Sequence, residues 1–262
     1  MPQIDVPLVQ GRFGTTSRPD NWWALPLAIF LGYLAFIVYS TWAAFQGNNY
    51  WFGPYISPMY SPELFGISPH AWFGGPPAWF PTFLPFSAAF LILWAPGGFR
   101  FTCYYYRGAY YKGWWADPPN CAVGEPRKKY LGERSFPLIL QNVHRYFMYI
   151  AVIFIGLLAK DAYDGFFGWP DGFHVNVGSL VLLLNVILLG SYTLGCHSLR
   201  HLIGGISDTI SKSPARKKAY DCVSCLNGRH QAFAWYSMYF VGFADLYVRL
   251  CAMGIWHDWR LF

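Results

Sequence analysis

The stretch Trp23–Phe45, WALPLAIFLGYLAFIVYSTWAAF, contains no charged residue. It is long enough to cross a bilayer, whose hydrocarbon core takes about 20 mostly apolar residues in helical form. Working outward from it, four further stretches have the same character. A second, residues 82–101, contains Pro96-Gly97-Gly98 and is expected to kink or end there. A third opens at Pro137, a residue suited to a first helical position, and runs to Ala159. A fourth covers 175–202 and a fifth 232–252. The expected fold class is an all-α integral membrane protein, with five transmembrane helices in a bundle and one membrane domain over residues 1–262.

Composition agrees. The 262 residues are 55% hydrophobic and only 12% charged, about half the charge of a soluble domain. Aromatic residues make up 21% of the chain, which excludes disorder and argues against an ordinary soluble enzyme. The net charge of +6 does not indicate nucleic-acid binding, because the Lys and Arg residues lie between apolar blocks rather than on one surface face.

With five spans, the N-terminus and the loops 102–136 and 203–231 share one side. Of the 19 Lys and Arg residues, only Lys160, Arg249 and Arg260 fall nearer the other side, which leaves sixteen on the first. Basic residues collect in cytoplasmic loops, so the N-terminus is expected in the cytoplasm and the C-terminus outside. The first 20 residues are polar and do not resemble a cleavable signal. Loop 46–81 is then external. It is rich in Pro, Gly and aromatic residues, with six prolines from Pro54 to Pro77, and reads as an aromatic cap in the interface. The run Arg127-Lys128-Lys129 suits a solvated positive-inside loop, anionic lipid or the acidic face of a soluble partner.

Ionisable groups inside a membrane are costly and mark function. On the cytoplasmic side fall Cys103, Cys121, His144, Cys196, His197, His201, Cys222, Cys225 and His230. His70, His174, Cys251 and His257 fall on the other side. His197 and His201, four apart, share a helix face, and His144 is expected two turns into the third helix. A single His of this kind is more often an interhelical hydrogen-bonding residue than a ligand, and a Cys is usually a small packing residue. Convergence from four helix ends favours a redox centre: two His and two Cys suit a Rieske-type [2Fe–2S] cluster, and two His suit a haem b. Cys222 and Cys225 form a CxxC with no second pair and read as incidental thiols. Tyr104-Tyr105-Tyr106, Trp114 and Trp115 serve as interfacial anchors or as walls of a quinone headgroup pocket, with Arg107, Arg145, Ser198 and Arg200 available as polar partners.

The segments FTCYYYRGAYYKGWW, PPNCAVGEP, FPLILQNVHRYFMYIA, LGCHSLRHLIGG and NGRHQAFAW together resemble the five-helix membrane subunit of bacterial succinate dehydrogenase (succinate:quinone oxidoreductase). The resemblance covers roughly Arg100 to Cys251 and is to the branch with a single anchor polypeptide. It implies a bacterial cytoplasmic-membrane protein that anchors separate flavoprotein and iron–sulfur subunits on its cytoplasmic face. It also implies quinone reduction, menaquinone being the expected type, and a membrane-embedded Rieske-type cluster, with haem b as the alternative. Cys103, Cys121, His144, Cys196, His197, His201 and His230 match the family pattern. Cys103, His144, Cys196 and His201 are the ligand set expected first, with His230, His197 and Cys121 in reserve. Tyr106, Trp114, Arg145, Ser198 and Arg200 are the expected quinone neighbours. No stretch reads as a flavin or dicarboxylate site. The competing readings are a structural anchor, or a transporter with Asn176, Asn185, Lys160 and Asp161 along its path. Against a transporter, the polar groups gather in one leaflet and no inverted repeat is present.

Overall fold

The computed structural model describes residues 12–81, 83, 85–116, 118–126, 134–136, 138–205 and 208–262. Arg127, Lys128, Lys129 and Pro137 lie outside the described residues. The chain is mostly helical, and it divides into two compact units, Met1–Ala35 with Phe101–Asn142 and Phe36–Arg100 with Val143–Phe262. Among the described residues, three helical stretches, Ala24–Gln46, Leu138–Phe167 and Val177–Leu194, are long and apolar enough to cross a membrane.

Helix α1 (Ala24–Gln46) matches the first expected span to within a residue. It ends at Gly47, whose φ of +60° is a conformation natural to glycine. The second expected span is a broken helix, α2 (Ala88–Ile92) and α3 (Trp94–Thr102), hinged at Leu93. The cause is Pro96, but its effect falls one turn earlier than the expected kink. A proline has no N–H to give the carbonyl four residues before it and collides with that carbonyl, here that of Ile92. Proline is tolerated in the first turn of the helix that follows.

Loop 102–136 carries an unexpected helix, α4 (Tyr104–Trp114). In the first unit Trp114 packs on Phe30 (4.9 Å between ring centres) and Tyr106 meets Tyr33 edge-on (5.3 Å). A Cβ on Gly113 would lie 3.3 Å from the backbone of Phe30, so α4 approaches α1 closely there.

The second unit contains α5 (His144–Phe167), α6 (Val177–Leu194), α7 (His197–Gly204), α8 (Pro214–Asn227) and α9 (His230–Ala252). Helix α6 packs between α5 and α9. Helix α5 runs eight residues beyond the expected end at Ala159. The charged residues that suggested a stop are satisfied locally, Lys160 by Asp164 and Asp161 by the Ser61 hydroxyl. The α6 N-terminus holds the carboxylate of Asp258, which accepts the Gly178 N–H at 2.8 Å and the Asn176 side-chain amide at 3.0 Å. An anion there is favoured by the helix dipole. The hydroxyls of Tyr55 (2.8 Å) and Tyr247 (2.7 Å) complete its shell.

Segment 46–81 is a folded cap. Strands β1 (Trp51–Phe52) and β2 (Tyr55–Ile56) pair antiparallel, and Tyr50, Ile56, Met59 and Tyr60 bury against Ala43, Ala44, Ala88 and Ala89. Its carboxylate Glu63, 1% exposed, accepts hydrogen bonds from the Tyr50 hydroxyl (2.7 Å) and from Ser68. Burial and that bond push the Tyr50 phenol above its usual range. The cap is pinned to α9 by an ion pair that sequence reading missed. Arg249 donates to Asp245 at 2.7 Å, to the carbonyl of Ala43 at 2.9 Å and to that of Asn48 at 2.9 Å. Asp245 also accepts from the hydroxyls of Tyr39 (2.7 Å) and Ser57. The pair explains how a mostly apolar helix carries two charges: both side chains are almost fully buried, and each has partners.

Candidate functional site

The expected fourth span, 175–202, also breaks. Helix α6 stops at Leu194, and α7 restarts at His197. Gly195 closes α6, and its carbonyl accepts the Asn227 side-chain amide at 2.9 Å. A Cβ at Gly195 would lie 3.2 Å from the backbone of Leu226, so glycine lets the end of α8 come near. Cys196 occupies the joint with extended backbone (φ −63°, ψ 137°) and is buried. Cys103 occupies the α3–α4 joint of the other unit in nearly the same conformation (φ −62°, ψ 133°), also buried. Each of these cysteines thus sits immediately before a helix, in an interruption of two residues (Gly195-Cys196) or one (Cys103).

His144 opens α5 rather than lying two turns inside it, because the preceding Leu138–Val143 is a 3-10 turn. Its Nε2 lies 3.1 Å from Cys196 Sγ, a buried imidazole–thiol hydrogen bond. The His144 ring stacks on Phe99 (4.7 Å, 9°), Phe99 meets Tyr192 edge-on (5.3 Å), and Tyr192 stacks on His230 (4.9 Å). This ladder links α3, α5, α6 and α9. Arg100 lies 4.7 Å over Tyr192 and donates to the Ala234 carbonyl (3.1 Å) and the Ser237 hydroxyl (3.0 Å). Gly98 makes the crossing of α3 and α5 possible, since a Cβ there would fall 2.2 Å from the Phe147 ring.

His197 and His201 share a face of α7 as their spacing requires, with Nε2 atoms 3.0 Å apart. Beyond the end of α6, burial first, then His201 and Arg200, hold the His197 imidazole below its usual range. Arg200 donates to the Ser224 hydroxyl at 3.0 Å and lies 4.9 Å over Tyr220. Arg200, His201, Gly204 and Tyr220 line a cavity of about 380 Å³. Among the other expected quinone neighbours, Arg145 is exposed beside His144, Ser198 is half-buried on α7, and Tyr106 and Trp114 pack on α1 in the first unit. Cys121 is exposed in that unit.

The structure therefore brings His144 and Cys196 together, and His197 with His201. Among the described residues no three His, Cys, Asp or Glu side chains gather as a metal site requires. Of the ligand set expected first, His144 and Cys196 meet, while His201 pairs with His197. Phe99 and Tyr192 escaped sequence reading because their role is to connect elements through space, which no short motif records. Arg100 was visible only as a basic residue at a span end.

The family of actinobacterial succinate dehydrogenase subunit SdhC matches residues 24–254. The chain belongs to this family. The fold agrees. A chain of the Mycobacterium smegmatis Sdh1 complex in the apo form is 44% identical, with 94% of each chain covered and a TM-score of 0.86. No curated protein matches. As an SdhC-family member the chain is a multi-pass bacterial membrane subunit of succinate dehydrogenase, whose partners are the flavoprotein and iron–sulfur subunits, the lipid membrane and quinone. The resemblance read from the motifs holds.

Proposed function

We propose that this SdhC-family chain anchors the soluble subunits at its cytoplasmic face and reduces quinone in the cavity beside the α6–α7 joint. The chain crosses the membrane five times, through α1, the broken α2–α3 pair, α5, α6 and α9, with the N-terminus in the cytoplasm. The observation that carries the reading is the joint itself. It sets Arg200, His201 and Tyr220 around a cavity large enough for a headgroup, with Arg200 four residues along the chain from Cys196 of a buried thiol–imidazole pair.

In this reading the Arg200 guanidinium donates to a quinone carbonyl and the Tyr220 ring supports the headgroup face. Two electrons arrive singly from the iron–sulfur subunit. Two protons enter from the cytoplasm, and His201, which already shares a hydrogen bond with His197, is placed to pass them on. Quinone thereby becomes quinol with atoms and charge balanced. His144 and Cys196 would supply one imidazole and one thiol of the ligand set that the motifs imply, and no electron step is routed through a cluster or haem.

The test uses the purified complex and a soluble naphthoquinone. Arg200→Ala and His201→Ala are expected to raise the quinone KM about tenfold or more, the effect of losing roughly 1.4 kcal/mol of headgroup binding. Succinate oxidation by an artificial dye should stay unchanged. Wild-type quinone kinetics in both variants would overturn the assignment.

A further inference from the structure

A second cavity, also about 380 Å³, lies at the other end of α5, between its last turns and the folded cap. The step from His144 to Lys160 along α5 is about 24 Å at 1.5 Å per residue, so this cavity is separate from the proposed quinone site. Lys160, Asp161 and Asp164 line it from α5, and Glu63, His70 and Trp72 from the cap. We infer that it binds a zwitterionic headgroup in which an ammonium neighbours a phosphate, the chemistry of a phosphoethanolamine lipid.

The walls are already built. Glu63 is fixed by Tyr50 and Ser68, Asp161 by the Ser61 hydroxyl, and the His70 ring by the Gly53 carbonyl at 3.2 Å. Three carboxylates against one lysine favour a cationic ligand group, and the lysine provides for an anionic one beside it. The Lys160–Asp164 pair is solvent-exposed on its lysine side (67%) and spaced i,i+4. Exposed pairs of this kind are weak, so the pair opens readily. The ammonium then takes Asp161 and Asp164, and Lys160 turns to the phosphate. Trp72, more than half exposed, suits the boundary between water and hydrocarbon. Below the cavity Leu157 and the exposed Ile153 give acyl chains an apolar track along α5. A bare metal ion fits poorly, since no metal-binding group of three forms among the described residues. A quinone fits poorly too, because its carbonyls need donors and this cavity is dominated by acceptors.

The test is lipid retention by the delipidated complex in nanodiscs, read by native mass spectrometry. Wild type is expected to retain phosphatidylethanolamine over phosphatidylcholine and phosphatidylglycerol. Combined Asp161→Asn and Asp164→Asn should reduce that retention at least about tenfold while leaving succinate–dye activity and melting temperature unchanged. If the double variant does not assemble, Lys160→Gln, a change at an exposed side chain, is expected to lower retention as well. Displacement by soluble glycerophosphoethanolamine would support the headgroup chemistry and identify a soluble source, whereas retention of the intact lipid alone would identify the membrane. Equal retention of all three lipids, or retention indifferent to these variants, would overturn the inference. The inference rests on the five-span reading for its leaflet alone. Labelling Ala71→Cys with an impermeant thiol reagent tests that leaflet separately, so a wrong topology and a wrong site give different results.

Discussion

Arg249→Ala removes the centre of a buried network whose geometry gives the size of the effect. The guanidinium meets Asp245 at 2.7 Å and the Ala43 and Asn48 carbonyls at 2.9 Å each, and is 2% exposed. Alanine leaves the Asp245 carboxylate buried with two hydroxyl donors but no countercharge. Breaking a buried pair from one side costs about 3–5 kcal/mol. A chain of this size loses roughly 2–4 °C of melting temperature per kcal/mol, so the expected fall is about 6–20 °C. Arg249→Lys keeps the charge but not the three-way fork, and should fall between wild type and alanine. The assay is thermal unfolding of the detergent-solubilised complex, followed by size-exclusion chromatography of the surviving assembly. A shift under about 3 °C for alanine, or equal damage from lysine and alanine, would refute the reasoning.

Further substitutions probe other parts of the structure. Gly178→Ala puts a Cβ 2.5 Å from the Tyr55 ring and should cost about 1–3 kcal/mol as overpacking. An unchanged melting temperature would contradict the close approach. Asp258→Asn weakens the anion at the α6 N-terminus and its bonds from Tyr55 and Tyr247. It should cost about 1–3 kcal/mol, and chemical denaturation giving a wild-type midpoint would rule that out. The ligand assignment implied by the motifs is checked by a dithionite-reduced minus air-oxidised spectrum with low-temperature EPR. His144→Ala and His201→Ala are each expected to abolish any haem or cluster signal that wild type shows, with His257→Ala leaving it intact, and a signal surviving in both variants would sink the assignment.

How legible each part was depends on the range of the interaction behind it. Helix α1 was readable to within a residue because nothing but its own unbroken apolar run decides it. The break in the second span was expected, but one turn too late, since Pro96 acts on a carbonyl four residues back; the fourth span was misread as continuous, because Gly195-Cys196 breaks it where α8 comes close. The α5 end was set too early, at Ala159: Lys160, Asp161 and Asp164 follow it, yet each is satisfied by a neighbour and the helix continues. Asp245 and Arg249 were visible as opposite charges four apart, a usable signal, yet Arg249 was taken only as an external basic residue. At the candidate site, the pairing of His197 with His201 follows from spacing alone. The meeting of His144 with Cys196 does not, because it depends on two helices placed by distant segments.

Arg249 and Asn48, to whose carbonyl its guanidinium donates, are 201 positions apart, which gives the cap a place in the timing of biosynthesis. The carbonyls that end α1 emerge early from the ribosome, but their donor arrives with the last helix. A nascent chain halted before α9 holds the three described helical stretches long and apolar enough to cross a membrane and still lacks the residue that fastens the cap. The cap is thus locked at the opposite end of α5 from His144, as a loop fastened by a side chain made about two hundred residues after it.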